Sequence, residues 1–335
     1  MRKIISILFV FIVVLKTASG QDVHFSQFFA APLLVNPANT GNFNGSVRLG
    51  LNYRDQWSSV TVPYKTFSAY SDVAIQPKKS VNRLGLGLVA FNDQAGDGAL
   101  TTNKIYFSGA YHIGYTEKDA WRLAIGLTGG LVQKSVDLNK LTFDSQWNDF
   151  EFDPALLNNE PVSTEVLDYV DLGVGALLTV IPYEGERYTL GFSAWHINEP
   201  EETFFNNTNT VGVKYTLTAG GFFATSGIAS FQPQIYISTQ KNSLEMVAGT
   251  NVSIPVNEEE NMYTSIFVGG WYRYNDAIWM VGGAQINHLT VSASYDLNIS
   301  KLRTASSAMG GFEIALAYVF NNRDKKDPLK CPAYE

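Results

Sequence analysis

The feature that most constrains this chain is alternation with a period of two, sustained over unusually long runs. Between 46 and 54, Val47, Leu49, Leu51 and Tyr53 fall on one face, and Ser46, Arg48, Gly50, Asn52 and Arg54 on the other. Between 288 and 300, Leu289, Val291, Ala293, Tyr295, Leu297 and Ile299 alternate with small polar residues, and the pattern returns at 104–113 and 310–320. Such alternation marks a strand with one apolar face. Strands of soluble proteins have a mode of ~5–6 residues, whereas a tilted strand crossing a bilayer needs ~9–11. The runs here are of the longer kind, and their polar face holds mid-strand charges: Lys104, Arg122, Lys214 and Glu313. A polar barrel interior accommodates these, and a dry sandwich core does not.

Fourteen segments qualify: 46–57, 64–75, 84–92, 101–113, 121–134, 170–181, 186–197, 210–222, 230–239, 243–254, 263–274, 277–286, 288–299 and 310–320. Of these, 66–75 and 263–274 alternate least clearly. An even count is what a bacterial single-chain barrel requires. Closure is the only way for a spanning sheet to satisfy every backbone N–H and C=O in lipid. The fold class expected is therefore all-β, a transmembrane antiparallel β-barrel of fourteen strands. Composition agrees: charged residues make up 16% of the chain, below the roughly 25% of ordinary domains. Past residue 21 no apolar run approaches ~18 residues, so no transmembrane helix is expected. The net charge of −7 gives no sign of nucleic-acid binding, and a lone Cys331 makes no internal disulfide.

Around the barrel three further pieces are expected. Residues 1–20 read as a secretory leader, with Arg2 and Lys3 ahead of an apolar run and Ala18-Ser19-Gly20 before a cleavage point at Gln21. Residues 21–45 lack period-two polarity, and Asn36-Pro37 breaks any helix there. They read as a short helix and turn plugging the lumen or capping one mouth, with Phe25, Phe28, Phe29, Asn36 and Pro37 as the plug residues. Residues 321–335 read as a polar tail. An even strand count places both termini at one rim, read as periplasmic. The outer connections are then 58–63, 93–100, 135–169, 198–209, 240–242, 275–276 and 300–309. The inner ones include 255–262, an acidic turn beginning PVNEEEN.

No catalytic, cofactor-binding or metal set emerges. His24, His112, His196 and His288 have no ligand spacing, and His112 and His288 fall on lumen faces. GLGL at 85–88 and GGLV at 129–132 read as strand glycines that ease bending. Asp93 and Asp97 share a loop without EF-hand spacing. Two clusters stand out. Arg54, Asp55 and Trp57 close the first strand as a lumen or rim cluster, either a gate or an Arg–Asp pair beside an interfacial aromatic. In 135–169, Trp147, Phe150 and Phe152 interleave with Asp149 and Glu151, a candidate partner surface.

Four blocks, HFSQFFAAPLLVNPANTG (24–41), NYRDQW (52–57), PYKTFSAYSD (63–72) and GLGLVAFNDQAGDG (85–98), together resemble the PorP/SprF family. The resemblance implies an outer-membrane barrel of Bacteroidota serving the type IX secretion system and, in gliding species, surface adhesin export. It implies an architecture like that of fatty-acid-transporter barrels, whose plug has an Asn-Pro-Ala element matched by residues 36–38. It also implies partners: secreted surface proteins with a C-terminal sorting domain, and periplasmic type IX components, in outer-membrane lipid. The rival reading is a channel for small hydrophobic ligands, which needs an apolar lumen pocket and a lateral opening.

Overall fold

A computed structural model of the chain describes residues 22–58, 62–77, 80–114, 121–205, 207–225, 229–259, 262–301 and 303–320. The expected leader and the tail with Cys331 lie outside the described residues. Fourteen antiparallel strands follow one another as neighbours, and the first pairs with the last to close the ring. They are β1 Val47–Gln56, β2 Tyr64–Ile75, β3 Arg83–Ala95, β4 Leu100–Gly114, β5 Trp121–Ser135, β6 Val166–Val180 and β7 Glu186–Trp195. The second half is β8 Lys214–Thr225, β9 Ala229–Gln240, β10 Ser243–Glu259, β11 Met262–Arg273, β12 Ala277–Ile286, β13 Leu289–Asn298 and β14 Met309–Phe320. The two weakly alternating segments, β2 and β11, pair on both sides like the rest.

The barrel is inside out relative to a soluble protein. Along β1, Arg48, Asn52 and Arg54 are buried inside, while Leu49, Leu51 and Tyr53 face outward. Phe107, Leu127, Leu131 and Met280 are each more than 60% exposed on the outer wall. In water that wall would cost ~25 cal/mol per Å²; lipid removes the penalty. No described helix is long and apolar enough to cross a membrane; the closed ring of strands with its apolar outer wall is built to do so.

Where β1 begins and β14 ends we speak of the near rim, and the opposite end is the far rim. Near-rim turns are short. Asn287-His288 joins β12 to β13 with Asn287 at φ 52°, the left-handed conformation that tight hairpins require. His288 thus lies in this turn rather than on a strand. The longest connection, 136–165, is at the far rim.

Two boundaries differ from expectation. The acidic stretch from Pro255 is not an eight-residue turn: β10 runs on to Glu259 and pairs with β11, with a register shift between Pro255 and Asn257. Proline has no N–H to donate, so an extra residue is absorbed there as a bulge. The strand expected from 210 begins at Lys214, because 200–213 folds back on itself. Val211 N–H donates to Pro200 O at 2.9 Å and Glu201 bridges Thr210.

Candidate functional site

The lumen holds the N-terminal segment. It consists of a 3-10 turn Phe28–Ala30, one α-helical turn Pro32–Val35 and a second 3-10 turn Pro37–Asn39. Prolines at the first helical positions start these turns without losing a hydrogen bond. Asn36, extended between them, accepts the Ala38 N–H on its side chain at 2.9 Å. Its amide also donates to the carbonyls of Ala176 and Phe192 at 3.0 and 3.2 Å, on β6 and β7. The segment is thereby bonded to the barrel wall itself.

That close approach explains the inward glycines. A Cβ on Gly175 would overlap the Asn36 amide, one on Gly126 would overlap the Pro37–Ala38 peptide, and one on Gly85 would overlap the Thr40 carbonyl. Gly85 therefore does not ease bending, as its sequence setting suggests. It leaves room for a second backbone, which only a residue without a side chain can do.

Apolar anchors fix the rest. Phe28 and Phe29 pack on Trp271 with ring centroids 5.4 and 5.2 Å apart, and Trp271 stacks on Trp279. Phe25 meets Phe91 edge to face. Leu33 is buried among Tyr70, Val89, Tyr106, Val132 and Trp195. Toward the near rim, His112 Nε2 lies 2.8 Å from the Thr40 carbonyl.

Two buried charge networks hold the far end of the segment. In the first, the backbone N–H groups of Ser26 and Gln27 donate to the Glu313 carboxylate at 2.6 and 2.8 Å. Glu313 also takes a short contact from Arg54, its direct partner across the β1–β14 seam. Asp296 accepts from the Ser26 hydroxyl at 2.6 Å and from Arg54 at 3.2 Å. Arg273 joins Ser26 and Glu245, and Glu245 meets His24 at 3.0 Å. In the second network Asp22 pairs with Lys104 at 2.8 Å, and His196 Nδ1 lies 2.9 Å from Asp171, which also accepts from the Tyr106 hydroxyl. Burial pushes the Asp22 carboxyl up, but Lys104, His196 and Lys214 outweigh it and hold it well below the usual range. Burial pushes His196 down, yet its bonds to Asp171 and Asp22 leave it raised overall. Such groups are tolerable in a low-dielectric lumen only when paired.

The first-strand cluster does not hold together. Neighbours on a strand point to opposite faces, so Arg54 enters the lumen while Asp55 lies on the outer face near the Tyr53 hydroxyl. The expected Arg54–Asp55 pair is replaced by Arg54 with Glu313 and Asp296. Trp57 sits at the far rim, 5.1 Å from the Tyr64 ring. In the long connection, Trp147 and Phe152 bridge across a small hairpin whose tip is Asp149, at φ 74°, and Phe150, 89% exposed. Asn148 caps the turn by accepting the N–H groups of Phe150 and Glu151. The five loop residues thus share one exposed hairpin. Glu313 is a lumen-face charge in the sequence pattern without a partner assigned to it, while Asp171, Asp296 and Arg273 are not singled out there as site residues. Their only sequence signal is a charge on the polar phase of a strand.

A fourteen-strand antiparallel barrel, apolar outside and polar within, defines an outer-membrane β-barrel protein. The chain belongs to the family of type IX secretion system membrane proteins PorP/SprF, whose model matches residues 17–318. Among solved structures it is similar in fold to a TodX deltaS2S3 mutant, a monoaromatic hydrocarbon channel. That match has a TM-score of 0.51 and 11% identity, covering 87% of this chain and 94% of that one. The toluene transporter TbuX of Ralstonia pickettii matches with a TM-score of 0.49 and 11% identity, over 91% of this chain and 96% of that one. A FadL homologue of Pseudomonas aeruginosa matches with a TM-score of 0.47 and 10% identity, over 85% and 93%. No curated protein matches the chain.

Proposed function

We propose that this protein is a non-catalytic outer-membrane barrel that supports export and surface anchoring of a partner protein bearing a C-terminal sorting domain. In this reading the far rim faces outward and the near rim, with both termini of the barrel, faces the periplasm and the type IX components there. Residues 22–45 act as a plug, and the hairpin 147–152 receives the client. The observation that carries the client site is that hairpin: Trp147, Phe150 and Phe152 stand exposed at one tip between Asp149 and Glu151. Exposed aromatics rimmed by charge are what protein interfaces use as anchors.

The test is capture from native membranes with the wild-type barrel and with a Trp147→Ala/Phe150→Ala/Phe152→Ala variant. The wild type should recover a sorting-domain protein and periplasmic type IX components, and the variant should lose the client while keeping the periplasmic components. A wild type that recovers neither class of partner defeats the proposal. A variant that keeps its client moves the client site off this hairpin.

A second reading, passage of small hydrophobic molecules, is favoured by one observation. The β8–β9 ladder passes from Gly220↔Gln234 to Phe223↔Phe231, skipping the pairs beside Pro233. Such a gap beside a lumen cavity is where a wall would open sideways.

A further inference from the structure

Near the far rim the outer wall has a notch. β13 and β14 slip out of register between Tyr295↔Phe312 and Leu297↔Met309, so β14 carries an extra residue there. The extra residue breaks the alternation. Met309 and Phe312 face outward, and Gly310 and Gly311 between them are both buried. A bulge re-aims side chains, and this one leaves the wall without an outward side chain where the alternation would put one. The depression that results has a volume of about 290 Å³ and is lined by Gly310, Gly311, Tyr53, Tyr295, Met309 and Phe312.

Asp55 lines it too, as the direct partner of Phe312 across the β1–β14 seam. One Asp55 carboxylate oxygen lies 3.4 Å from the Tyr53 hydroxyl. The other is shut off from solvent and meets no hydrogen-bond donor among the described residues. Lys65, opposite Asp55 in the β1–β2 register, is exposed and leaves that oxygen without a donor. A buried acceptor without a donor is costly, and more so when it is charged.

Depth in the membrane narrows the choice of partner. Tyr53, Tyr215, Tyr272 and Tyr295 are exposed on the outer wall, all near the far-rim ends of their strands. Such a girdle marks the level at which hydrocarbon gives way to lipid headgroups. The faces of tyrosine and phenylalanine rings attract ammonium groups, most strongly where water is excluded. A carboxylate in want of a donor, set among such rings at headgroup level, is complementary to an ammonium group whose chain lies in the adjoining lipid.

We propose that this notch binds the ammonium headgroup of a lipid in the leaflet at the far rim. Its N–H groups donate to Asp55, its charge lies against Tyr53, Tyr295 and Phe312, and its apolar chain runs down the outer wall. The inference needs a barrel in a membrane and does not depend on client docking at the hairpin.

The experiment is native mass spectrometry of the full-length barrel in a neutral maltoside detergent. The probes are dodecylamine, dodecanol, phosphatidylethanolamine, phosphatidylglycerol and N-acetyl-lysine amide. One dodecylamine should bind per barrel about tenfold tighter than dodecanol, and phosphatidylethanolamine should exceed phosphatidylglycerol by a similar factor, since charge-assisted hydrogen bonds are the stronger ones. Phosphatidylethanolamine binding tighter than dodecylamine points to a phospholipid source, its phosphate toward Lys65, and the reverse order to a phosphate-free amine lipid. Asp55→Asn should abolish the preference for amines. Tyr295→Leu, which keeps the wall apolar without a ring, should weaken dodecylamine binding and leave dodecanol unchanged. Folding of each variant is checked by its heat-modifiable migration. Dodecanol binding as tightly as dodecylamine, or undiminished amine binding in folded Asp55→Asn, overturns the proposal. N-acetyl-lysine amide binding as tightly as dodecylamine also overturns it, because a peptide and not a lipid then fits the notch.

Discussion

Glu313 is the residue on which the lumen's organisation can be tested most sharply. It joins the last strand to the first through Arg54, and it accepts two backbone N–H groups from Ser26 and Gln27. Glu313→Gln keeps the size and removes the charge. Hydrogen bonds to a charged acceptor contribute about 1.5–3 kcal/mol each, and breaking a buried ion pair from one side costs roughly 3–5 kcal/mol. Asp296 remains 3.2 Å from Arg54, so the guanidinium is not abandoned and the lower end of that range applies. The expected loss is about 3 kcal/mol in the hold on the segment, or roughly a hundredfold in its open population at ~1.4 kcal/mol per decade. The assay is amide hydrogen exchange over residues 25–35 in detergent, with barrel closure monitored separately by heat-modifiable migration. Exchange there should accelerate by about that factor while the strands stay protected. Arg54→Gln/Glu313→Gln should recover part of the loss, because neither charge is then left buried alone. If exchange over 25–35 in the single variant changes by less than about threefold, the account of the segment as held by this carboxylate is wrong.

Other outcomes follow from the same geometry. Gly175→Ala drives a methyl into the Asn36 amide and should destabilise segment docking by about 1–3 kcal/mol. The outward Gly282→Ala, with nothing within 4 Å, should stay within ~0.5 kcal/mol; thermal unfolding in detergent compares the two. Asn36→Ala removes donors to two wall carbonyls and should speed exchange over 34–40 by about tenfold or more, at ~1 kcal/mol or above per bond. His196, faced by Asp171 and Asp22, has a raised folded pKa. Its stabilisation is therefore complete below the ordinary histidine value of ~6.5 and is lost as pH rises through the raised value. Asp22, held low by Lys104, His196 and Lys214, contributes above its unfolded value and is lost only in strong acid. Protection of residues 22–27 should thus be greater at pH 5.5 than at pH 9, and Asp171→Asn should flatten that slope.

The strands were legible because their signal is local: each alternates over its own length, and the bilayer requirement makes them long. All fourteen appear, and even β2 and β11, whose outer faces are diluted by Ala69, Ser71 and Gly270, pair on both sides. What was not legible depends on register between distant strands. Arg54 has Asp55 beside it in sequence and Glu313 beside it in space, 259 positions away. No local pattern chooses between them except the rule that neighbours face opposite ways, which already excludes Asp55. The same applies to Gly85, Gly126 and Gly175, whose meaning lies in a second backbone arriving from residues 36–41. The PVNEEEN stretch looked like a turn because acidic residues and proline favour one, and only its pairing with β11 reveals a bulged strand.

The contacts of the N-terminal segment bear on the order in which the molecule can be made. Asp22 reaches Lys104 and His196, and Ser26 reaches Glu313, all toward the far rim. The chain therefore runs the depth of the barrel before β1 turns back up it. Ser26 waits for a partner 287 positions later in the chain, the same strand that zips the ring shut against β1. The carboxylate that holds Ser26 and Gln27 and the strand that seals the wall thus arrive together, with β14. A polypeptide truncated ahead of Glu313 should have an open wall and a segment held only by its contacts to earlier strands, so the last strand checks the placement of Ser26 and Gln27.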